Sequence, residues 1–468
     1  MLFTSFVFIA FLLAILAVYW LLPGPKTQNF LLLFGSLAFY AWGEPRLVVL
    51  ILVCALTGFL CGLMIERRSD LAGYFVALGS TVAFGILFTF KYFDFFVESM
   101  AALSAKIGLS FDPMTLGLLL PIGISFFTFQ TVGYLVDVAR GQCRAERNPV
   151  DFFLFVTFFP QLVAGPIERA NHLLPQIKRS RRLEPGDLQW GVYSMLQGYA
   201  KKMVVADNLA PIVNRLFEQD NLTGPLVAVG LVGFAFQIYC DFSGYTDIAR
   251  GTARCMGFRI LQNFDQPYFS RSPTEFWHRW HMTLSTWFRD YVFIPLGGSR
   301  RDPWRSRFNL FATFLLSGLW HGAAFNFLLW GAYHGALLVL HKAWAELRAL
   351  DRVRAHRAYR GLARCSTFML VVYGWLFFRV AEPVLIGSYT RALISDFGSL
   401  DLAFLVAFRM APYIGIALIL DLLEPRLTDV KQAEISRPWS SQLVTPLLFL
   451  VFVLLAAEAG QRFIYFAF

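Results

Sequence analysis

Long apolar stretches recur along the whole of this 468-residue chain, and several approach the roughly 20 residues that a helix needs to cross a bilayer. With 57% hydrophobic and only 15% charged residues, the chain also lacks the polar side chains that would cover a water-soluble surface. Backbone groups in hydrocarbon must be satisfied within their own segment, and the two-residue alternation of a membrane barrel is absent, so the spans should be helices. We therefore predict an all-α polytopic integral membrane protein with about ten to twelve membrane helices plus interfacial or re-entrant helices. The clearest candidate spans are Leu2–Leu22, Phe30–Trp42, Leu47–Leu63, Tyr74–Phe96, Phe404–Leu423 and Leu443–Ala457.

Basic residues are concentrated in the short connectors between these stretches. By the positive-inside bias, we expect those connectors to face the cytoplasm. The net charge of +10 does not indicate nucleic-acid binding, because the basic clusters flank apolar spans and carry no nucleic-acid motif; attraction to anionic membrane lipid explains them. The first apolar segment has no basic residue before Lys26, so we expect it to stay in the mature chain. The predicted cytoplasmic connectors are those around Arg67, Arg144, Arg181, Arg305 and Arg354.

The six cysteines show neither a CxxC pair nor regular spacing. Most of them lie in apolar stretches, which is typical of buried thiols. We therefore predict free thiols rather than disulfides or metal ligands.

The polarity of the chain changes along its length, although no repeat or polar linker divides it. We predict one membrane domain, residues 1–468, in which the plain Phe-rich and Leu-rich spans of residues 1–159 form a scaffold. In residues 160–345, charged and polar side chains enter membrane-like stretches, where they are costly and usually functional, so this part is predicted to be the catalytic core. Residues 346–468 supply the C-terminal helices. Within the core, the polar and Trp-rich stretch Gln266–Arg301 is predicted to form an amphipathic helix at the interface or inside the bundle.

Histidines are concentrated in the same core, since five of the seven lie between positions 278 and 341. His321 is placed at probable membrane depth between Gly318 and Gly322, and glycines without side-chain bulk would let a substrate group approach the imidazole. A packing histidine at a helix break is an equally good interpretation of this pattern alone. His281 is a candidate polar partner for substrate or for His321.

Glu275, His278 and His281 have the spacing i, i+3 and i+6, which makes a metal site one candidate function for them. We expect no metal there, because zinc or iron would need a further close ligand. His334 and His341 are seven residues apart on a helical stretch and should share a face. His341, beside the basic end of that stretch, is predicted to be structural, whereas His334 is equally consistent with a functional role.

Asp241, Ser243 and Asp247 place two carboxylates and a hydroxyl in an otherwise apolar stretch. A nucleophilic triad is disfavoured, because the G-x-S-x-G elbow is absent. Buried acids need partners, so we predict ion pairs with an arginine such as Arg279 or Arg289. A further charged group, predicted to lie at the interface or to meet the phosphates of an acyl donor, consists of Lys201, Lys202 and Asp207.

The chain carries four distinctive motifs, Asn263–Tyr268, Glu275–His281, Leu284–Tyr291 and Leu319–Gly322, and two supporting ones, Pro121–Phe129 and Phe159–Pro166. These motifs closely resemble the membrane-bound O-acyltransferase (MBOAT) family. The sequence is most similar to its bacterial branch that serves polysaccharides such as alginate, and more distantly to the D-alanyl transfer protein of teichoic acids. The resemblance covers almost the whole chain and is most specific between Pro121 and Gly335.

The resemblance implies roles for individual residues. In the family the histidine of the Trp-His-Gly motif is the essential catalytic residue, which corresponds to His321, and the histidine of the Arg-Trp-His motif is its usual partner, which corresponds to His281. His278 departs from the alginate-type pattern, in which Arg or Asn is more common. The family fold is a ring of membrane helices around a tunnel, and the polar residues expected to line it or to bind substrate are Trp320, His278, Asn263, Gln266, Arg289, Asp290, Asp241, Ser243 and His334.

The resemblance also implies substrates and partners. A neutral imidazole, His321, would remove the proton of an acceptor hydroxyl as it attacks a thioester carbonyl, and a second group, His281, would assist. We expect no bound cofactor or metal; the acyl donor thioester, acetyl-CoA or an acyl carrier, is a substrate. The acetyl group would be passed to periplasmic acetyltransferase partner proteins and on to a polysaccharide, from a multi-pass protein of the bacterial inner membrane.

Two other classes of function were compared with this one. A transporter usually shows an inverted or parallel repeat with interrupted helices, and none is visible here. A membrane scaffold of a secretion complex would not need clustered histidines. The acceptor remains open between alginate, cellulose, peptidoglycan and other glycans.

Overall fold

The computed structural model describes residues 1–109, 112–163, 165–219, 221–300, 302–347, 356–423, 438–457 and 463–464. Every regular element within these residues is helical, which confirms the predicted all-α class. The α-helices, numbered in chain order, are α1 Phe6–Leu21, α2 Gly24–Ala41, α3 Val48–Arg67, α4 Ala72–Leu87, α5 Phe93–Lys106, α6 Ile124–Ala139, α7 Pro149–Thr157, α8 Phe159–Leu162, α9 Ala170–Lys178, α10 Asp187–Tyr199, α11 Asp207–Phe217, α12 Gly224–Cys255, α13 Pro273–Trp277, α14 Met282–Phe288, α15 Pro303–His321, α16 Phe325–Glu346, α17 Arg357–Arg379, α18 Pro383–Ser395, α19 Leu400–Leu423 and α20 Pro438–Leu455.

Several helices begin where the sequence supplies a capping side chain followed by proline. The Asp302 carboxylate accepts hydrogen bonds from two backbone N–H groups in the first turn of α15, and Pro303 occupies the first helical position. Asn148 and Pro149 start α7 in the same way. The capping side chain accepts a hydrogen bond from a backbone N–H of the first turn that has no partner within the helix. Proline has no backbone N–H that would need a partner, so each of these pairs marks a helix start.

Five helical segments among the described residues are long and apolar enough to cross a membrane. The predicted span at Tyr74–Phe96 belongs to one of them, because a π-helical turn at Phe88–Tyr92 joins α4 to α5. Shorter apolar helices include α1 and α6. The connector predicted around Arg354 lies outside the described residues. The five segments are Pro45–Arg67, Ser69–Lys106, Gly224–Cys255, Arg357–Arg379 and Leu400–Leu423.

The chain forms two compact units, and the first comprises Met1–Gly191 and Ala249–Leu261. Arg181 lies in the interior of this unit with 7% of its surface exposed, so the guanidinium at this connector is not solvated. It donates hydrogen bonds to the Ile177 carbonyl at 2.8 Å and to Asn29 Oδ1 at 2.7 Å. These bonds offset the cost of burying a cation.

The second unit comprises Val192–Ile248 and Gln262–Phe468 and contains the histidine-rich core. Its α15 and α16 form a hairpin around the Trp-His-Gly motif. The two helices approach closely, because a Cβ built on Gly318 would lie 2.2 Å from the Phe327 carbonyl oxygen and 3.0 Å from the Gly331 Cα. Glycines at both positions therefore hold the hairpin together.

All six cysteines are free, as predicted. The expectation that they are buried holds for four of them, whereas Cys143 is half-buried and Cys365 is exposed.

Candidate active site

The prediction of one amphipathic helix over Gln266–Arg301 is wrong, because the structure divides this stretch at His281. Helix α13 starts immediately after Ser272, whose hydroxyl oxygen accepts a hydrogen bond from the Glu275 N–H, and it ends at Trp277. His281 has a φ of 42°, in the left-handed region, and α14 starts at the next residue. His281 therefore does not lie on one helix with Glu275 and His278, as their spacing had indicated.

Two backbone hydrogen bonds hold the left-handed turn at His281. The Asp265 N–H donates to the Arg279 carbonyl at 3.0 Å, and the Met282 N–H donates to the Asn263 carbonyl at 2.9 Å. A non-glycine residue in this region costs on the order of 1–3 kcal/mol and persists only where its surroundings enforce it. The two hydrogen bonds to the segment around Asn263 and Asp265 supply that constraint. Residues held in such strained backbone conformations are common at functional sites.

His281 is almost completely buried, with 1% of its surface exposed. Its Nδ1 lies 3.3 Å from Asn263 Oδ1, and the Phe242 ring packs edge-on with centroids 4.7 Å apart. The residue lies outside the candidate spanning helices, and burial lowers the pKa of His281 to about 3. The imidazole is therefore neutral at physiological pH.

His321 is the last residue of α15 and is 4% exposed. Aromatic rings surround it: the centroid distances are 4.7 Å to Trp330, 4.9 Å to Trp320 and 5.3 Å to Phe378. Such a setting keeps bulk water away from the imidazole.

The glycines beside His321 serve helix packing rather than substrate approach, contrary to the interpretation from sequence. A Cβ on Gly322 would lie 2.1 Å from Cε2 of Phe327, so that ring fills the space. Gly318 faces the backbone of α16. Both glycines thus fix where α15 ends, and with it the position of His321.

Trp320 connects the two histidines. Its ring centroid lies 4.9 Å from that of His321 and 6.0 Å from that of His281, and both contacts are edge-on. The structure therefore brings together the two histidines that are 40 residues apart in sequence (321 − 281). We refer to His281, Trp320, His321, Trp330 and His334 as the histidine cluster.

His334 joins this cluster from α16. It is 1% exposed, and its ring lies 4.9 Å from Trp330 and 5.1 Å from Trp277, measured between centroids. Neither ring nitrogen has a hydrogen-bond partner among the described residues. His341, on the same helix, instead forms a 2.8 Å hydrogen bond with Thr274 Oγ1, in keeping with a structural role.

The buried acids of α12 pair with lysines, so the predicted pairing with Arg279 or Arg289 is wrong. Lys202 Nζ lies 2.8 Å from Asp241 Oδ1, and Lys201 Nζ lies 2.8 Å from Asp247 Oδ2. The two arginines pair instead with Glu275 and Asp290 close by in sequence.

The charged group predicted to be interfacial is buried. Lys201, Lys202 and Asp207 are each 1–3% exposed, and Lys202 Nζ also bonds Asp207 Oδ1 at 2.6 Å. Asp241 Oδ2 accepts the Ile464 N–H at 2.6 Å, so the network has a structural function. Its charged groups are therefore paired with one another in the interior of the second unit.

The remaining candidates are divided between interior and surface. Ser243 is buried, and its hydroxyl has no hydrogen-bond partner among the described residues. Gln266 is buried and donates from Nε2 to the Asp421 carbonyl. His278 is exposed, and Arg289 is 59% exposed in its pair with Asp290, so these three lie outside the histidine cluster.

Sequence reasoning missed several residues of the site. Thr283 donates a 2.6 Å hydrogen bond to Asn263 Oδ1, and Trp330 and Phe242 pack directly against the two histidines. The Lys201-Lys202 pair in an apolar stretch was the available signal for the partners of the α12 acids. No comparable local signal marks Phe242 among the 50 phenylalanines of the chain.

The cluster is suited to proton transfer in a water-poor site. The imidazoles of His281, His321 and His334 and the indoles of Trp320 and Trp330 supply hydrogen-bond donors and acceptors, with no carboxylate or ammonium group among them. Within the described residues, no three His, Cys, Asp or Glu side chains lie close enough to share a metal ion.

Comparison with known proteins shows the family to which the chain belongs. The sequence pattern of the membrane-bound O-acyltransferase family matches residues 139–386, more than half of the chain. The chain is 37% identical to a probable alginate O-acetylase of Pseudomonas putida, with 100% of both chains covered. It is 39% identical to a probable alginate O-acetylase of Pseudomonas aeruginosa, covering 86% of this chain and 76% of the relative. A peptidoglycan O-acetyltransferase of Helicobacter pylori is 32% identical, with 76% and 71% covered. This chain therefore belongs to the membrane-bound O-acyltransferase family and is a multi-pass membrane acyltransferase.

Proposed function

We propose that this acyltransferase moves an acetyl group from a cytoplasmic thioester, acetyl-CoA or an acyl carrier, across the bacterial inner membrane for O-acetylation of an extracytoplasmic polysaccharide. Periplasmic acetyltransferase partner proteins would complete the transfer. Relatives named for alginate and for peptidoglycan support a glycan as the final acceptor. The observation that carries the proposal is the burial of His281 and His321, which both pack edge-on against one indole, Trp320.

In this mechanism His321 is the general base. Its neutral imidazole takes the proton of the acceptor hydroxyl while the hydroxyl oxygen forms a bond to the thioester carbonyl carbon. The C–S bond then breaks, and the leaving thiolate receives the proton from His321, so the imidazole returns to its neutral form. His281 is the assisting group. The reaction uses no bound metal or cofactor.

Exclusion of water supports this assignment. The aromatic rings around His321 limit hydrolysis of the thioester and strengthen hydrogen bonds to the reacting groups. Neutrality of His281 next to His321 also avoids a repulsion that would oppose formation of the His321 imidazolium.

The experiment is replacement of His321 in the full chain within its bacterial host. Acetate released by alkali from the exported polysaccharide measures acetylation, and immunoblotting of membranes measures abundance. We expect His321→Ala and His321→Gln each to lower acetylation by on the order of 10²- to 10⁴-fold at normal abundance, as for a lost general base. In membrane vesicles, release of CoA thiol from acetyl-CoA should fall in parallel.

His341→Gln is the matched control, since this histidine lies on the same hairpin and bonds Thr274. It should leave acetylation unchanged. Wild-type acetylation in the His321→Ala strain would refute the catalytic assignment and favour a transporter or a scaffold.

A further inference from the structure

Asn263 makes three side-chain contacts in the interior of the second unit, where none of its surface is exposed. Its Oδ1 accepts a hydrogen bond from Thr283 Oγ1 at 2.6 Å and lies 3.3 Å from His281 Nδ1. Its Nδ2 faces Thr246 Oγ1 at 3.4 Å. The amide is thus held from α12 and α14, with its oxygen directed at His281.

These contacts determine which nitrogen of His281 carries the hydrogen. A neutral imidazole has one N–H and one acceptor nitrogen, and an amide oxygen can only accept. Nδ1 must therefore be the N–H that donates to Asn263, which leaves Nε2 as the acceptor. Nε2 is buried and has no hydrogen-bond partner among the described residues.

An acceptor nitrogen without a partner in a buried site calls for an explanation. His281 packs against Phe242 and Trp320, and the latter also contacts His321. Neither ring donates a hydrogen bond to Nε2 in this structure. A bound molecule can supply the hydrogen that Nε2 lacks.

We infer that Asn263 is a positioning residue that locks His281 in its Nδ1–H tautomer, so that Nε2 accepts a hydrogen bond from an O–H or N–H group of the bound substrate. The inference rests on the proposed function and refines it. His281 assists as a hydrogen-bond acceptor and cannot donate to the oxyanion that forms on the thioester carbonyl. That donation must come from another group.

The tautomer can be observed without any enzymatic assay. Full-length protein labelled with ¹⁵N-histidine and reconstituted in lipid bilayers gives separate nitrogen signals for protonated and unprotonated ring positions. His281→Gln identifies the signals of this residue. We expect an unprotonated Nε2 and a protonated Nδ1 in the wild type, and a mixture of both tautomers in Asn263→Leu. A protonated Nε2 in the wild type would overturn the inference.

Kinetics in vesicles with acetyl-CoA test the consequence. Asn263→Leu removes the acceptor for Nδ1–H at similar volume and should lower kcat by about 10- to 100-fold, the usual effect of losing a group that orients a functional histidine. Asn263→Asp keeps an acceptor oxygen and should retain more activity than Asn263→Leu. A purely structural role predicts the reverse order, because a buried carboxyl group costs more than a leucine.

Asn309→Leu is the control for loss of a buried asparagine, since Asn309 is also fully buried and donates to the Leu296 carbonyl at 3.0 Å. Activity of Asn263→Leu equal to that of Asn309→Leu would refute the positioning role. A raised KM for acetyl-CoA would place the hydrogen-bond donor on the acyl-donor molecule, whose amide N–H groups can donate, and a lowered kcat at unchanged KM would place it on the acceptor hydroxyl. If His321→Ala retained acetyl transfer, the proposed function would be refuted. The ¹⁵N signals would still show which tautomer His281 adopts, so the two proposals can fail separately.

Discussion

Gly318→Ala should change the position of His321 while leaving its imidazole chemically unchanged. Gly318 lies one turn before His321 on α15 and faces the backbone of α16. The added Cβ would lie 2.2 Å from the Phe327 carbonyl oxygen, about 1.2 Å short of an ordinary contact of 3.4 Å. The obstructing atom belongs to the backbone and cannot rotate away. The two helices must therefore separate by about 1 Å, which moves His321 relative to Trp330 on the opposite helix.

The size of both effects follows from this overlap. Overpacking of this kind costs about 1–3 kcal/mol of stability. A displacement of about 1 Å at a catalytic group can lower the rate by about 10²-fold. We expect Gly318→Ala to lose about 10²-fold in acetyl transfer while remaining folded, as measured by thiol release from acetyl-CoA in vesicles and by thermal unfolding in detergent.

Gly361→Ala is the matched control, because Gly361 is in α17 and its added Cβ meets no atom within 4 Å. Alanine is the better helix former, so this variant should gain about 0.5–1 kcal/mol and keep its activity. Gly318→Ala with the stability and transfer rate of the wild type would show that the hairpin does not control the position of His321.

Two further predictions concern charged groups away from the histidine cluster. Lys202→Met leaves two buried aspartates without their ammonium partner and should lower the free energy of unfolding by about 3–5 kcal/mol, measured by thermal or denaturant unfolding. The control Arg68→Met breaks an exposed ion pair and should lower it by less than about 1 kcal/mol. Equal losses in the two variants would contradict the structural role of the buried network. The hydrogen bond to Glu168 raises the pKa of His172, so the stability that this pair contributes should be complete below about pH 6.5 and be lost as the pH rises through the folded-state pKa. Unfolding temperatures of wild type and His172→Gln, compared across that range, should converge at high pH, and a gap independent of pH would refute this linkage.

The sequence by itself determined the class of the protein and the identity of its two central histidines. Apolar stretches of spanning length require helices, because hydrocarbon offers no partner to the backbone. The capping pairs at Asn148-Pro149 and Asp302-Pro303 are equally local, since each acts within one turn. The Trp-His-Gly motif around His321 and the Arg-Trp-His motif around His281 are contiguous, so they could be identified without knowledge of the fold, and both lie within residues 139–386, which the family model matches.

Tertiary structure alone decided what each of these residues contacts. Whether Asp241 pairs with an arginine of the motifs or with Lys202 depends on which helices pack together, because a buried carboxylate needs the cation that the packing brings to it. The sequence indicated that Gly322 leaves space for a substrate, but the Phe327 ring fills that space. The left-handed turn at His281 is enforced by hydrogen bonds from a separate loop, at Asn263 and Asp265, that no helical periodicity could reveal. Contacts between distant segments are set by the packing of the whole unit, and for that reason His278 and His281, three residues apart, are respectively exposed and buried.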